Sequence, residues 1–211
     1  MANLSAIKIQ EIIPLTIQGE GYNTGLPVSF IRLFGCPVGC PWCDTGYGDI
    51  KSATYSVMSI DEILPQLQSN NIVISGGEPL VNPAMPALLI HLLGLGKKLF
   101  IETSGIREIA LPPEMVDQIW VTFSPKEHIS DTGNINHQII DQANELKIVI
   151  KEESDFEYYQ DLIETFKRQK KPIYLQPEHK SLKSSLPLSI TLANNNSVNT
   201  SNQIHKFLGV R

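Results

Sequence analysis

The sequence predicts an α/β fold of about six parallel strands alternating with helices. It forms either an open, partial βα barrel or a doubly wound sheet. Three observations carry this. Short runs rich in Val, Ile, Leu and Phe alternate with segments of helical period. Those runs are largely continuous, which suits parallel strands buried on both faces. The chain has 211 residues, 42% of them apolar. That is enough for one domain with a real core, but short of the roughly 250 residues of an eight-unit barrel.

The strands are expected at Val28–Phe34, Ile72–Ser75, Leu99–Glu102, Trp120–Phe123, Lys147–Lys151 and Ile173–Gln176, with an extra N-terminal strand at Ile7–Ile12. Ser59 and Glu62 make a capping box that opens a helix over Ile60–Gln68, in which Pro65 forces a kink or an early end. Helices follow at Pro86–Leu93, Glu114–Asp117 and Asn136–Asn144. Ser154 and Glu157 read as a second capping box, opening Asp155–Arg168. In that helix Phe156, Tyr159, Leu162, Ile163 and Phe166 keep helical spacing. Leu186–Asn202 reads as a weak helix and a polar loop. No repeat or linker divides the chain, so residues 1–211 are expected to form one domain. Right-handed crossovers place the strands' carboxyl ends, and therefore the site, on one rim.

Composition excludes several classes. With 17 basic and 22 acidic groups the net charge is −5, which leaves no global basic footprint for nucleic acid. No run approaches the ~18 apolar residues of a membrane span, and no secretory signal opens the chain. The three cysteines, Cys36, Cys40 and Cys43, are an odd number in one short loop. They cannot form a closed disulfide framework, so a cytoplasmic protein is expected.

The cysteine loop reads GCPVGCPWCDT from Gly35 to Thr45. Clustered thiolates are soft donors suited to iron–sulfur clusters or zinc. A structural zinc site needs four protein ligands, so a histidine such as His128, His179 or His205 would have to complete it. A four-iron cubane takes three thiolates and leaves one iron open for chemistry. Other polar motifs end successive strands: Ser75-Gly76-Gly77-Glu78-Pro79, Glu102-Thr103-Ser104-Gly105, Ser124-Pro125-Lys126 and Gln176-Pro177. Each could merely cap the next helix, but together they make a ligand rim.

The CX3CX2C spacing, with Trp42 before the last Cys, resembles the radical S-adenosylmethionine (SAM) enzymes. The further series IQGEG (Ile17–Gly21), FIRLFGC, CPWCDT, GGEP, ETSG, SPK and a terminal HKFLGVR is similar to the 7-carboxy-7-deazaguanine synthase family within them. The likeness runs in order along nearly the whole chain and is weakest between Lys180 and Asn202.

The resemblance implies a partial barrel and a [4Fe-4S] cluster on the three cysteines. The open iron chelates SAM, whose reductive cleavage gives a 5′-deoxyadenosyl radical. It implies a lyase that turns 6-carboxy-5,6,7,8-tetrahydropterin into 7-carboxy-7-deazaguanine with loss of ammonia, in queuosine and 7-deazapurine biosynthesis. SAM is regenerated. Trp42, Asp44, Gly76, Gly77, Glu78, Ser104, Ser124, Lys126 and Gln176 are expected around the cofactor. Ile17, Gln18, Gly19, Glu20, Arg32, Ser75, His205 and Arg211 are expected around the pterin, with Glu20 and Arg32 as the catalytic pair. Arg32 suits a carboxylate bidentately, and Glu20 is acceptor-only when ionised. Thr45 is expected to hold Mg²⁺ with substrate and water oxygens. The C-terminal tail closes over the substrate. A flavodoxin- or ferredoxin-type reductant and a homodimer are implied as well. The competing readings are a glycyl-radical-activating enzyme and, in another class, a noncatalytic iron–sulfur electron carrier or zinc protein.

Overall fold

The computed structural model describes residues 6–43, 54–127 and 134–210. Nine strands form one sheet: β1 (Ile7–Ile17), β2 (Pro27–Leu33), β3 (Ser56–Met58), β4 (Asn71–Gly76), β5 (Lys98–Thr103), β6 (Ile119–Phe123), β7 (Glu145–Ile150), β8 (Ile173–Pro177) and β9 (Asn199–Thr200). Their order is β3-β1-β2-β4-β5-β6-β7-β8-β9. The run from β2 to β9 is parallel. β1 is antiparallel to β2 and β3. The sheet is open, as an incomplete barrel, and contains all six expected strands. Among the described residues no helix is long and apolar enough to cross a membrane.

The helices are α1 (Ile60–Ile63), α2 (Met85–Gly94), α3 (Pro113–Val116), α4 (Gln138–Gln142), α5 (Glu153–Tyr158), α6 (Gln160–Arg168), α7 (Leu182–Asn196) and α8 (Ile204–Leu208). Helices α1 to α7 pack on one face of the sheet, whereas α8 lies on the other, with His205 and Lys206 lining a cavity there. Ile31, Leu33, Ile72, Ile74, Ile101, Val121, Ile148 and Leu175 point into a core shared with Leu88, Leu92, Ile163, Phe166 and Leu192 of the helices. The alternate positions face the other way. At the lower end of that second face Ile13, Val28, Phe30 and Val73 form a small apolar plug. Toward the carboxyl ends it becomes polar.

Of the two architectures left open by the sequence, the sheet therefore takes that of the partial barrel, and its second face is only partly apolar. Apart from β7, whose polar residues Glu145 and Lys147 come first, the core strands are continuous in apolar character mainly at their starts. Beyond that, polar groups replace every second residue: Arg32, Ser75, Glu102, Thr122, Glu145, Lys147 and Gln176. Cross-strand register aligns several of these, pairing Arg32 with Ser75, Glu102 with Thr122 and Thr122 with Glu145.

Several boundaries differ from the expected ones for local reasons. β1 runs on to Ile17 through Pro14, because a register irregularity between Ile13 and Thr16 removes the need for the missing N–H. Pro65 ends α1 early, converting the chain to a 3-10 turn at Leu64–Gln66. The Ser59–Glu62 capping box is present.

The second box is not where it was expected. Asp155, not Ser154 or Glu157, makes the cap: its carboxylate accepts the backbone N–H groups of Lys151 and Glu152 at 2.7 and 2.9 Å. The expected single helix breaks at Tyr159, whose φ of −98° and ψ of 15° are not helical. Tyr159, Ile163 and Phe166 are nonetheless buried.

The tail is more helical than its composition suggests. α7 contains Pro187 and the asparagine run, and ends on Ser197 in the left-handed region. Small buried side chains, Ser185 and Ser189, let it lie close against the sheet.

The Asp155 cap makes a discriminating prediction. Asp155→Ala should cost about 1–2 kcal/mol in urea unfolding of the whole chain. Ser154→Ala, at an exposed position, should stay within about 0.5 kcal/mol. Equal losses would remove the cap from Asp155.

Candidate active site

The loops that leave β2, β4, β5, β6 and β8 at their carboxyl ends build the polar rim, and β7 adds Lys147 and Val149 from within the strand. The cysteine loop follows β2, the GGEP turn follows β4, Thr103 and Ser104 close β5, Ser124–Lys126 follow β6, and Gln176 and Pro177 end β8 with Glu178, His179 and Lys180 after them. Together they line a cavity of about 480 Å³. All three thiols open onto it, as do Trp42, Gly76, Gly77, Glu78, Ser104, Ser124, Lys126 and Gln176. A second cavity of about 320 Å³ adjoins it, lined by Ile17, Gln18, Gly19, Arg32 and His205. Glu20, Ser75, Glu102 and Lys206 belong to both walls. The residues expected around a cofactor and those expected around a substrate thus fall into two neighbouring cavities. Asp44, Thr45 and Arg211 lie outside the described residues, as does His128.

The double glycine, which lines the cavity, also allows a close backbone contact. Gly77 N–H donates to the Leu33 carbonyl at 2.9 Å, and Glu78 N–H to the Gly35 carbonyl at 2.9 Å. A Cβ at Gly77 would stand 1.9 Å from that Gly35 oxygen. Gly76 has a φ of 117°, closed to most side chains. The glycines therefore let the β4 turn lie against the backbone that carries Cys36.

Glu78 is 2% exposed, and both its oxygens are occupied. They accept from Leu80 N, Thr103 Oγ1, Ser104 N and Ser104 Oγ at 3.1, 2.6, 2.7 and 2.5 Å. The carboxylate thereby ties the β4 exit to the β5 exit. Lys126 Nζ donates to Ser124 Oγ at 2.6 Å. Burial brings the Lys126 ammonium down to about 8 and pushes the Cys36 and Cys40 thiols up.

The donor set fits a cubane and SAM. Three soft thiols share one wall with no fourth cysteine in the chain. Among the described residues no three His, Cys, Asp or Glu side chains converge on a single ion. A cubane does not ask for that, since each of its thiolates binds a different iron. Gln176 Oε1, buried in the same wall, has no hydrogen-bond partner. A buried orphan acceptor costs free energy unless a ligand donor meets it.

The second cavity is closed by two segments. The loop after β1 is pinned by Gln18 N to the Leu26 carbonyl at 2.8 Å. The C-terminal tail lies on it, with Ile204 N donating to the Gly19 carbonyl at 3.1 Å and Gly21 N to Ser201 Oγ at 2.8 Å. A Cβ on Gly19 would meet His205 Nδ1 at 2.0 Å. On the floor, the Arg32 guanidinium is 3.8 Å from Glu11, and its buried Nε is without a hydrogen-bond partner.

Between the cavities stands a group that sequence reasoning missed. Lys147, with 5% of its side chain exposed, donates to Glu20 Oε2 at 2.6 Å and Glu102 Oε2 at 2.7 Å. Gln203 Nε2 donates to Glu20 Oε1 at 2.6 Å, and Gln18 Nε2 to Glu102 Oε1 at 2.9 Å. Burial pushes the Glu20 carboxyl up, but Lys147, Gln203 and Gln176 outweigh it and hold it well below the usual range. At Glu102 burial wins: the carboxyl rises to about 7, with Glu20 and Glu145 adding to the rise. A signal was present in the sequence. Glu145 and Lys147 interrupt an otherwise apolar strand at every second residue, which marks a polar face.

Comparison with known proteins bears on this arrangement. A family model described as the radical SAM superfamily matches residues 30–175. The 7-carboxy-7-deazaguanine synthase of Haemophilus influenzae is 35% identical, with 99% of this chain and 94% of that protein covered. That of Escherichia coli K12 is 34% identical, covering 92% and 95%. The crystal structure of QueE from Escherichia coli superimposes with a TM-score of 0.77 at 30% identity, covering 94% of each chain. Streptococcus suis SuiB bound to S-adenosylmethionine shares the fold, with a TM-score of 0.51 at 15% identity over 82% of this chain and 45% of that one. Three thiols on the rim of an open parallel sheet, a double-glycine turn beside them, and likeness along nearly the full length lead to one assignment: the chain belongs to the radical SAM superfamily and, within it, to the 7-carboxy-7-deazaguanine synthase family.

Proposed function

We propose that this chain is a carbon–nitrogen lyase converting 6-carboxy-5,6,7,8-tetrahydropterin to 7-carboxy-7-deazaguanine with release of ammonia, in queuosine and 7-deazapurine biosynthesis. The observation that carries the reading is the pair of adjoining cavities, one walled by three cysteines and the other floored by an arginine. Product and ammonia together have the composition of the substrate, so the conversion has no net redox change. A hydrogen taken from the substrate can therefore be given back, and SAM serves catalytically.

Cys36, Cys40 and Cys43 hold the [4Fe-4S] cluster, which with SAM supplies the hydrogen-atom abstraction that the protein cannot perform itself. The protein's own task is orientation and electrostatics. Carbonyls of the Gly76–Gly77 turn take the cofactor's amino group, and Gln176 Oε1, Ser104, Ser124 and Lys126 its polar periphery. Trp42 packs near the adenine. Arg32 grips the substrate carboxylate, for which its fork of donors is suited. Glu20, kept ionised, accepts from the pterin amino–imino edge, with backbone of Ile17–Gly19 and Ser75 beside it. His205, and the Arg211 carboxylate, close the pocket from the tail, which keeps water from the reacting atoms. Asp44 and Thr45 directly follow the last cysteine, and the Thr45 hydroxyl takes a Mg²⁺ shared with substrate oxygens.

The electron comes from a flavodoxin- or ferredoxin-type protein. Exposure of Pro37, Gly39 and Pro41 on the outer edge of the cysteine loop supports a short path to the cluster. The enzyme acts in the cytoplasm as a homodimer and as one domain with a closing tail. A glycyl-radical-activating role is disfavoured, because its protein substrate would have to pass the tail that lies on the second cavity. A plain electron carrier has no use for that cavity.

The test is anaerobic incubation of reconstituted enzyme with reductant, SAM and the carboxytetrahydropterin. Deazaguanine and ammonia should appear in equal amounts while SAM is conserved. No product from fully clustered enzyme, or stoichiometric zinc without iron, would overturn the proposal. Cys40→Ala should lose cluster absorbance and turnover together. Arg32→Lys should keep the cluster while raising the substrate KM about tenfold or more, equivalent to about 1.4 kcal/mol. An unchanged KM would remove Arg32 from the carboxylate.

A further inference from the structure

One buried cation, Lys147, serves two buried acids that come from different parts of the chain. Glu20 lies in the loop after β1, Glu102 at the end of β5 and Lys147 on β7. The two N–H···O contacts of 2.6 and 2.7 Å use Oε2 of each acid. The remaining oxygen of Glu20 accepts from Gln203 on the tail.

The surrounding charged groups have other partners. Glu145 on β7 accepts from Thr122 Oγ1 and from Tyr22 N. Lys126 after β6 donates to Ser124 and Pro125. Lys206 on the tail donates to Gln203 Oε1 at 2.6 Å. Arg32 on β2 stands near Glu11 of β1, and His205 lies against Gly19. Tyr174 on β8 stands beside Lys147 in register. Among the described residues, Lys147 is the cation that hydrogen-bonds both Glu20 and Glu102.

Two carboxylates on one ammonium leave a surplus of negative charge in a low-dielectric site. Without the cation Glu102 holds its proton more firmly still, and burial pushes the Glu20 carboxyl up with its main counter-charge gone. A protonated Glu20 would also lose acceptor capacity, which the Gln203 contact and any substrate N–H both require.

We infer that Lys147 is the positioning residue of the substrate cavity: its ammonium keeps Glu20 an ionised acceptor and, through Glu20 and Gln203, fastens the C-terminal tail over the bound substrate. The inference rests on the pterin reading for what Glu20 accepts from, but not for the ion cluster or the tail contact. Lys147 touches neither cofactor nor substrate in this role. It acts through Glu20.

The experiment uses the clustered full-length enzyme and compares Lys147→Met with Lys147→Arg. Carboxyl NMR of ¹³C-glutamate-labelled protein follows Glu20, assigned by its loss in Glu20→Gln. In Lys147→Met the Glu20 midpoint should move up by at least about one pH unit, since its main counter-charge is gone. Lys147→Arg, which keeps a cation there, should leave it low. Amide exchange of residues 201–208 should quicken in Lys147→Met and stay slow in Lys147→Arg. In turnover, Lys147→Met should raise KM about tenfold with a smaller change in kcat, and KM should fall as pH rises through the new Glu20 midpoint. A residue that only fills space would not move the Glu20 midpoint when replaced by Met. An unmoved Glu20 midpoint in Lys147→Met, or a raised one in Lys147→Arg, would overturn the inference. If Lys147→Met does not fold, Lys147→Arg supplies the test: it should retain the low Glu20 midpoint and the slow tail exchange, and a raised midpoint there would equally overturn it. Failure of wild-type enzyme to bind the pterin, with the midpoint and exchange shifts still observed, would instead count against the pterin reading alone.

Discussion

An open, mostly parallel sheet with α1 to α7 all on one side imposes the constraint on which everything else rests. Each strand must send alternate residues to two unlike environments. The side facing α2, α6 and α7 is a dry core of Ile, Leu, Val and Phe. The other side has an apolar plug at one end and polar groups at the other. Because the strands are parallel, their carboxyl ends coincide, and residues at the same height become neighbours across the sheet. Arg32, Ser75, Glu102 and Lys147 are distant in sequence yet meet around one concavity. The period of two that builds the core also builds the site, and a one-residue slip in any strand would exchange the two faces.

Backbone contacts then place the cysteine loop more firmly than side chains could. The loop has few apolar residues of its own to bury, apart from Val38 at 4% exposed. Its position depends on the N–H groups of Gly77 and Glu78 reaching carbonyls at Leu33 and Gly35. Only glycine permits that approach at residue 77, where a Cβ would overlap the Gly35 oxygen. Glu78 in turn braces the β5 exit. Cluster loop, glycine turn and serine rim are therefore one hydrogen-bonded unit rather than three independent ligand contacts.

Much of this was legible in the sequence, and the failures have physical causes. Strand positions and the parallel sheet follow from apolar runs that tertiary packing does not override. The cysteine spacing and the GGEP and QGEG motifs are local, so their residues could be named from sequence. Lys147, Gln203 and Lys206 could not be named in the same way, because their importance comes from partners far off in sequence: Gln203 meets Glu20 across 183 residues. The cap at Asp155 was misplaced by two positions because Ser154 and Glu157 satisfy the same pattern, and pattern alone does not say which acid is buried. α7 was obscured by Pro187 and three asparagines. All four are poor helix formers, and the helix persists because its small serines pack on the sheet.

The reaction class explains why the two cavities share walls. A hydrogen borrowed from a substrate and returned to it must not escape between the two events. The site therefore has to hold cofactor and substrate in contact, with water and other hydrogen donors excluded. A surface groove beside the cluster would suffice for an enzyme that consumes its cofactor on a large protein substrate. Here Glu20, Ser75 and Glu102 border both spaces, and the tail lies over the outer one through Ile204, Gln203 and Ser201. Closure of that kind usually relies on apolar burial, yet Phe207 and Leu208 on α8 remain 61% and 62% exposed. The tail is held instead by directional polar bonds to the loop after β1. Such bonds are weak individually in water but strong where water is shut out. The same exclusion that protects the reaction therefore also strengthens the contacts that produce it, and the charge of Glu20 links the two.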